Sequence, residues 1–466
     1  MARNERVQIP DRLVIFLCTP DISPHMNTTA HKPLLVVELN EVNFDLVRRY
    51  LSTNELPAFR RLLTEFDSIE TFAESQYDQL EPWIQWVSAH SGKTFGEHGI
   101  FRLGDGAVSN IPQIYEALEG AGLSVGAISP MNSRNSLARP AYFVPDPWTQ
   151  TPSDSSGFSR RLTAMLRQTV NENAQGKISW RSLLTLAEVV LRTFNLRGTK
   201  QLVKLIGKAK GCHWYKALVL DQLIHLVHLH SLQAARPDVS FVFFNAGAHI
   251  QHHYYFNSTQ IQTASKNPAW YVSASADPIL DMIKAYDHAL EDYLALVDQG
   301  ARLLLATGLT QVPYNRVKFY YRLRNHAEFL GRLGIRFIAV QPRMTRDFEI
   351  LFASNEEATA AADSLSALKL SRDGVQLFNE IDNRGKSLFV TLTYPNEIIP
   401  GDKAVSPEVE VADLDKQFTF VAIKNGMHDT KGFAFASKGS LKSIPRSAVH
   451  VSALYDLTMQ AANRSL

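Results

Sequence analysis

Cysteine is nearly absent from this chain: Cys18 and Cys212 are the only two in 466 residues. No disulfide framework can hold the fold, and a reducing compartment is expected. Long apolar runs near the N-terminus are lacking too. Leu13–Cys18 is only six residues, below the roughly 7–15 of a signal-peptide core and far below the ~20 of a membrane span. Cys18 has no small residues before it of the kind that precede a lipidated cysteine. Residues 1–32 are therefore read as a poorly ordered extension, with Met26 an alternative start, and a cytoplasmic location is the expectation. Excess charge of either sign is missing as well. A net charge of +2 argues against a surface that coats nucleic acid, so no specific nucleic-acid partner is expected. There is no internal repeat, low-complexity tract, Walker motif or dinucleotide fingerprint.

What is present is the composition of a soluble globular enzyme, 45% hydrophobic and 20% charged. The length exceeds the usual ceiling for one compact core, so a large domain with insertions is expected. Leu34–Asn40 is a short apolar run of the kind that makes a buried parallel strand, and Asn43–Phe66 carries apolar residues at helical spacing. Further strands are expected at Val125–Ser129, Val239–Phe244, Ala301–Thr307 and Phe418–Lys424, with helices around 112–122 and 275–299. This alternation predicts an α/β fold, a mainly parallel sheet with helices on both faces.

Two insertions interrupt the core, which is divided into 33–157, 237–315 and 416–466. Residues 158–236 read as helical. Their stretch 192–216 holds Arg192, Arg197, Lys200, Lys204, Lys208, Lys210 and Lys216 with no acidic residue. That run is either a solvated face or a dock for an anionic substrate or membrane surface. Residues 316–415 read as a small α+β cap, with a hairpin turn at Asn383–Lys386.

Polar residues gather where the core strands should end. Phe241–Tyr255 runs from an apolar strand into His249, His252 and His253, and Val37–Asp45 carries Glu38, Asn40 and Glu41. Glu81–Ile100 starts a helix at Glu81-Pro82 and ends His98-Gly99-Ile100. Leu303–Gln311 leads through Thr307 and Gly308 to Gln311, and Gly426–Gly432 contains His428.

Taken in chain order, the five segments resemble the strand-end motifs of the alkaline phosphatase superfamily, in its nucleotide pyrophosphatase and type I phosphodiesterase branch. The resemblance implies an alkaline phosphatase-like fold, two metal sites and a threonine or serine nucleophile at a helix start. Carried over residue by residue, one metal site retains His252 and His428 while Ala248 stands where its aspartate would be. The other has Asn40, Thr307 and Gly308 at ligand positions and Pro82, which has no hydroxyl, at the nucleophile. A two-zinc mechanism through a covalent intermediate is therefore not expected.

A rebuilt site with one divalent transition metal, zinc or manganese, is chemically reasonable, held by His252, His428 and either His249 or Glu38. On that reading Glu81 or Glu41 acts as general base, and Asn40, Asn245, Thr307 and Gln311 contact the substrate. The substrate would be a phosphate- or sulfate-bearing small molecule, such as a nucleotide-sugar, glycan or lipid head group. Two other readings stay open: a catalytically silent protein that binds a phosphorylated ligand or partner, and an adaptor that works through the helical insertion.

Overall fold

The computed structural model describes residues 32–171, 179–343 and 346–462. The expected N-terminal extension, with Cys18 and Met26, lies outside them. From Lys32 onward the chain forms one compact unit.

The core strands are Leu34–Leu39 (β1), Asp67–Phe72 (β2), Val125–Ile128 (β3), Tyr142–Val144 (β4), Val239–Phe244 (β5) and Arg302–Ala306 (β6). With Lys431–Ala436 and Val449–His450 they build an eight-stranded sheet. Its order is Val449–His450, β2, Lys431–Ala436, β6, β1, β5, β3, β4. The central strands β6, β1, β5, β3 and β4 run parallel, and Lys431–Ala436 joins antiparallel between β2 and β6. Strands β1 and β5 are buried along their whole length, as suits apolar runs in a sheet covered on both faces.

That covering follows from the two-residue period of a strand. Leu35, Val37 and Leu39 pack on one face with Phe44, Val47, Met282 and Ile283. Leu34 and Val36 pack on the other with Trp86, Ala89, Leu454 and Leu457. The parity also places Glu38 on the second face. The C-terminal ends of β1, β5 and β6 lie level, with Leu39 beside Phe244 and Glu38 beside Ala306, so the residues just after them share one edge.

Between β4 and β5 the chain is helical: Gly157–Asn171, Trp180–Arg192, Leu196–Ala209 and Tyr215–Ala235. After β6 comes a long strand, Thr310–Leu323 (β7), whose sole strand partner among the described residues is the antiparallel Phe418–Asp429. The expectation that Phe418–Lys424 is a core strand is thus corrected. Its alternating apolar residues serve a two-stranded ribbon that stands off the sheet. The ribbon leads into the cap, where Ala339–Pro342 (β8), Asp347–Leu351 (β9), Glu380–Asn383 and Ser387–Thr391 form an antiparallel sheet. The cap has its own core, including Phe329, Phe348, Ile350, Leu388 and Val390. Its hairpin turns at Arg384-Gly385-Lys386, with Gly385 at φ 85°, a left-handed conformation that costs glycine nothing.

Candidate metal centre

The histidines after β5 do not continue the strand. β5 ends at Phe244, and Ala246–Tyr254 is a helix. Asp221, from the helical insertion, accepts the N–H groups of Asn245 (3.3 Å) and Ala246 (2.8 Å). It supplies from a distance the carboxylate that a helix start usually finds next to it in sequence. Burial pushes the Asp221 carboxyl up to about 6 against the opposing pull of those amides. The helix starts hard against β1. A side chain at Gly247 would come within 2.6 Å of Val42, so only glycine fits.

Helical rather than strand spacing decides which histidines meet. His249 and His253 are one turn apart, and their rings stack edge to face at 4.8 Å. His252 points elsewhere, toward His428 on the ribbon. The two Nε2 atoms lie 3.1 Å apart, and each is 3.2 Å from the same oxygen of Glu41, Oε2. Three donor atoms from three elements thus form a nearly equilateral triangle. Among the described residues, Glu41, His252 and His428 are the group able to hold a metal ion.

The triangle fits such an ion. Ligands about 2.0–2.1 Å from a shared zinc sit roughly 3.3 Å apart in a tetrahedral array. Two imidazole nitrogens and one carboxylate oxygen are also donors that suit zinc or manganese.

Glu41 is aimed by its surroundings. It follows β1 in a left-handed conformation, φ 61°, which a non-glycine residue adopts only when it is held there. Its N–H donates to the Thr307 carbonyl (3.0 Å), and its own carbonyl accepts from Gln251 Nε2 (2.7 Å). The carboxylate accepts from Asn40 Nδ2 at 3.1 Å and from Gln311 Nε2 at 2.5 Å. Burial alone would raise its pKa, yet the facing His428 and His252 outweigh that and hold the carboxyl well below its usual range. His428 responds in the opposite sense: burial would lower it, but Glu41 and then Glu81 raise it.

The other expected residues fall into three groups. Asn40, Asn245 and Gln311 surround Glu41. Asn40 accepts from Trp86 Nε1 (2.8 Å) and donates to Asn245 Oδ1 (2.8 Å), so its amide is committed to positioning. Glu81 lies on the far side of His428, with Oε2 3.8 Å from Nδ1. It stands at the start of the helix Pro82–Ser91 but makes no capping hydrogen bond, and burial pushes its carboxyl up to about 7.

The structure does not bring Glu38, His249 or Thr307 to the triangle. Glu38 Oε1 is 2.7 Å from His90 Nε2 in a buried pair on the second face of the sheet. His249 stands on the exposed side of its helix. Thr307 Oγ1 accepts the Phe433 N–H at 3.0 Å and fastens two sheet strands. Glu41, expected as a general base, instead stands in the triangle, in the place expected for Glu38 or His249.

A cationic patch beside the site escaped the sequence reading. Lys318 and Lys424 are direct partners across the ribbon, and neither has a carboxylate within ion-pair distance among the described residues. Lys424 Nζ lies 4.7 Å from the Tyr314 ring, and Arg346 stacks 4.2 Å over Tyr320. Burial, with Arg346 and Lys424 nearby, pushes the Lys318 ammonium down to about 8. The signal was there in Tyr314, Arg316, Lys318, Tyr320 and Arg322, an alternation that puts one face of a strand in cationic and aromatic hands.

No family model and no curated protein matches this sequence. Solved structures do resemble it. Phosphonoacetate hydrolase from Sinorhizobium meliloti 1021, in complex with phosphonoacetate, is 11% identical over 93% of this chain and 96% of that one, with a TM-score of 0.40. Human ectonucleotide pyrophosphatase / phosphodiesterase 5 is 10% identical over 93% and 95%, with a TM-score of 0.41. Alkaline phosphatase from the Antarctic bacterium TAB5 is 8% identical over 92% and 97%, with a TM-score of 0.37. These structural neighbours are alkaline phosphatase superfamily proteins. The likeness is distant, and the fold and site described above stand on their own strand pairing and distances.

Proposed function

We propose that this protein is a metal-dependent hydrolase or transferase for a phosphate- or sulfate-bearing small molecule, working with one metal and without a hydroxyl nucleophile. The observation that carries the reading is the triangle of Glu41 Oε2, His252 Nε2 and His428 Nε2, with sides of 3.1–3.2 Å. A zinc or manganese ion held there would supply Lewis-acid polarisation of a phosphoryl or sulfuryl oxygen.

The chain's own residues have separate tasks on this reading. Asn40 and Gln311 hold the Glu41 carboxylate in place. Glu81 stands across the His428 ring, and burial pushes its carboxyl up to about 7, toward the range in which a carboxyl can both accept and release a proton. It takes the proton of the attacking water or acceptor hydroxyl as that oxygen bonds to phosphorus or sulfur and the leaving oxygen departs with its electron pair. Lys424 and Lys318 face the anion and offset its charge. Pro82 supports attack by an external oxygen, because it has no hydroxyl to offer.

The test is turnover of chromogenic phosphate and sulfate esters by protein loaded with zinc or manganese. We expect Glu81→Gln to lower turnover by about 10²–10⁴-fold and to remove one inflection from the pH-rate profile. Unchanged turnover in Glu81→Gln would assign the proton transfer elsewhere. One observation favours a second reading, ligand binding without turnover: the triangle also closes without metal, as an ionised Glu41 between histidines of which His428 is raised toward its charged form. Phosphate binding with no metal uptake and no turnover would establish that reading in place of the first.

A further inference from the structure

The helical block carries a surface that the site does not use. Eight of the sixteen large apolar side chains exposed among the described residues lie between 180 and 206. On the helix Trp180–Arg192 they are Trp180, Leu183, Leu184 and Leu191, 53–79% exposed. Steps of three, one and seven residues place all four on one stripe about 100° wide. The opposite side, with Ser182, Thr185 and Val189, is the buried one.

The next helix, Leu196–Ala209, repeats the arrangement. Gly198, Leu202 and Leu205 face inward, while Leu196 (79% exposed) and Val203 (63%) face solvent. Phe194, 65% exposed, sits in the turn that joins the two helices. Contiguous apolar exposure of this kind on a protein in water marks a contact surface.

The charge on these helices indicates the partner. Residues 180–216 hold eight lysines and arginines and one acid, Glu188. Arg192 pairs with Glu188, and Arg197 with Glu291 and Asp292. Lys200, Lys204 and Lys210 are exposed and have no ion pair among the described residues. None of the described helices is long and apolar enough to cross a membrane. Apolar stripes flanked by free lysines are what an interfacial helix presents to an anionic bilayer. A second copy of the chain fits less well, because a two-fold interface would set these lysines against each other.

We propose that the outer face of Trp180–Arg192 and Leu196–Ala209 docks this protein on an anionic membrane surface, lying in the interface without spanning it. The apolar side chains enter the head-group region, and Lys200, Lys204 and Lys210 meet the lipid phosphates. This inference is independent of the metal site.

The test is co-sedimentation of the full chain with phosphatidylcholine vesicles, with and without phosphatidylglycerol. Binding is expected to rise about tenfold or more with the anionic lipid and to fall as salt screens it. Leu191→Glu/Phe194→Glu should abolish binding, and Lys200→Glu/Lys204→Glu should remove the preference for anionic lipid. Both pairs are exposed, so an unchanged thermal melt will show that folding is intact. No sedimentation with anionic vesicles at low salt would overturn the proposal. So would a salt-stable dimer that Leu191→Glu/Phe194→Glu converts to monomer, since that identifies the occupant as a second copy.

Discussion

His252 and His428 are 176 residues apart in the chain, yet their Nε2 atoms lie 3.1 Å from each other against one buried oxygen of Glu41. Two imidazole N–H groups cannot both point at one another, whereas two lone pairs and a carboxylate oxygen all favour a cation between them. The purified protein should therefore take up about one equivalent of zinc or manganese per chain, read by elemental analysis. Removing a donor costs at least as much as losing a supporting group, so His428→Ala should weaken uptake by about 100-fold or more. Loss of Lys424, which touches no donor atom but opposes positive charge at His428, should not weaken metal uptake. Equal uptake by parent and His428→Ala would place the metal elsewhere.

In the metal-free protein the contribution of the site itself should fall as pH rises through neutrality. His428 is raised on folding, so its contribution is complete below about 6.5, the ordinary histidine value, and is lost as pH climbs through the raised one. Glu41 is depressed; its contribution is present above about 4.5 and is lost only in strong acid. Glu81 acts against the fold. Its carboxyl is raised to about 7, so the penalty for keeping it buried grows from about pH 4.5 and is complete above 7. Buried histidines held low, among them His228, His253 and His326, act in the opposite sense, so the site is read by difference: the urea midpoint of the parent minus that of His428→Ala/Glu81→Gln, both in chelator, should fall from pH 6 to 8. Metal should reverse the trend, because protons compete for the same donors. A difference that grows from pH 6 to 8 would contradict these assignments.

Asn40→Asp tests whether the amide is there to protect Glu41. Asn40 donates to Glu41 Oε1 and accepts from Trp86. An aspartate keeps the second bond but sets a second carboxylate against Glu41 at the 3.1 Å now spanned by a hydrogen bond. Without metal the variant should lose about 1–3 kcal/mol, the cost of an unmet buried polar group. Added zinc should recover more stability in the variant than in the parent, because the extra negative charge then faces a cation. Urea denaturation with and without metal reads both effects.

Much of the core was legible because β1, β5 and β6 are apolar runs that only a sheet covered on both faces can bury. The site was half legible. His252, His428 and Asn40 were singled out because their segments resemble the superfamily's motifs, and Gln311 as one of the polar residues after a strand end, which are costly there unless used. Glu38 misled, although strand parity already placed it with Leu34 and Val36, on the face that packs against Trp86. His249 misled because it was judged at a strand end; in a helix its partner is His253. The pairing of His428 with His252 depends on the ribbon, and no local pattern tells a two-stranded ribbon from a core strand. Glu41 depends on its left-handed turn, which nothing in the residue type announces.

Gly426→Ala should damage the site from outside it. A methyl group there would lie 2.1 Å from Gln311 Oε1 and 2.8 Å from the Gln251 carbonyl. Both glutamines hold Glu41, one through its carboxylate and one through its backbone carbonyl. Gln311 Oε1 has no hydrogen-bond partner among the described residues, so nothing resists its displacement on that side. The amide would swing away and take its N–H from Glu41. Overpacking of this size costs about 1–3 kcal/mol, and metal affinity should fall with it. In Gln311→Ala the same methyl group meets one obstacle fewer, so the cost of Gly426→Ala should shrink by more than about 0.5 kcal/mol, beyond the limit of simple additivity. Strictly additive losses in the double variant would mean that Gly426 acts through Gln251 or the ribbon backbone and leaves Gln311 in place.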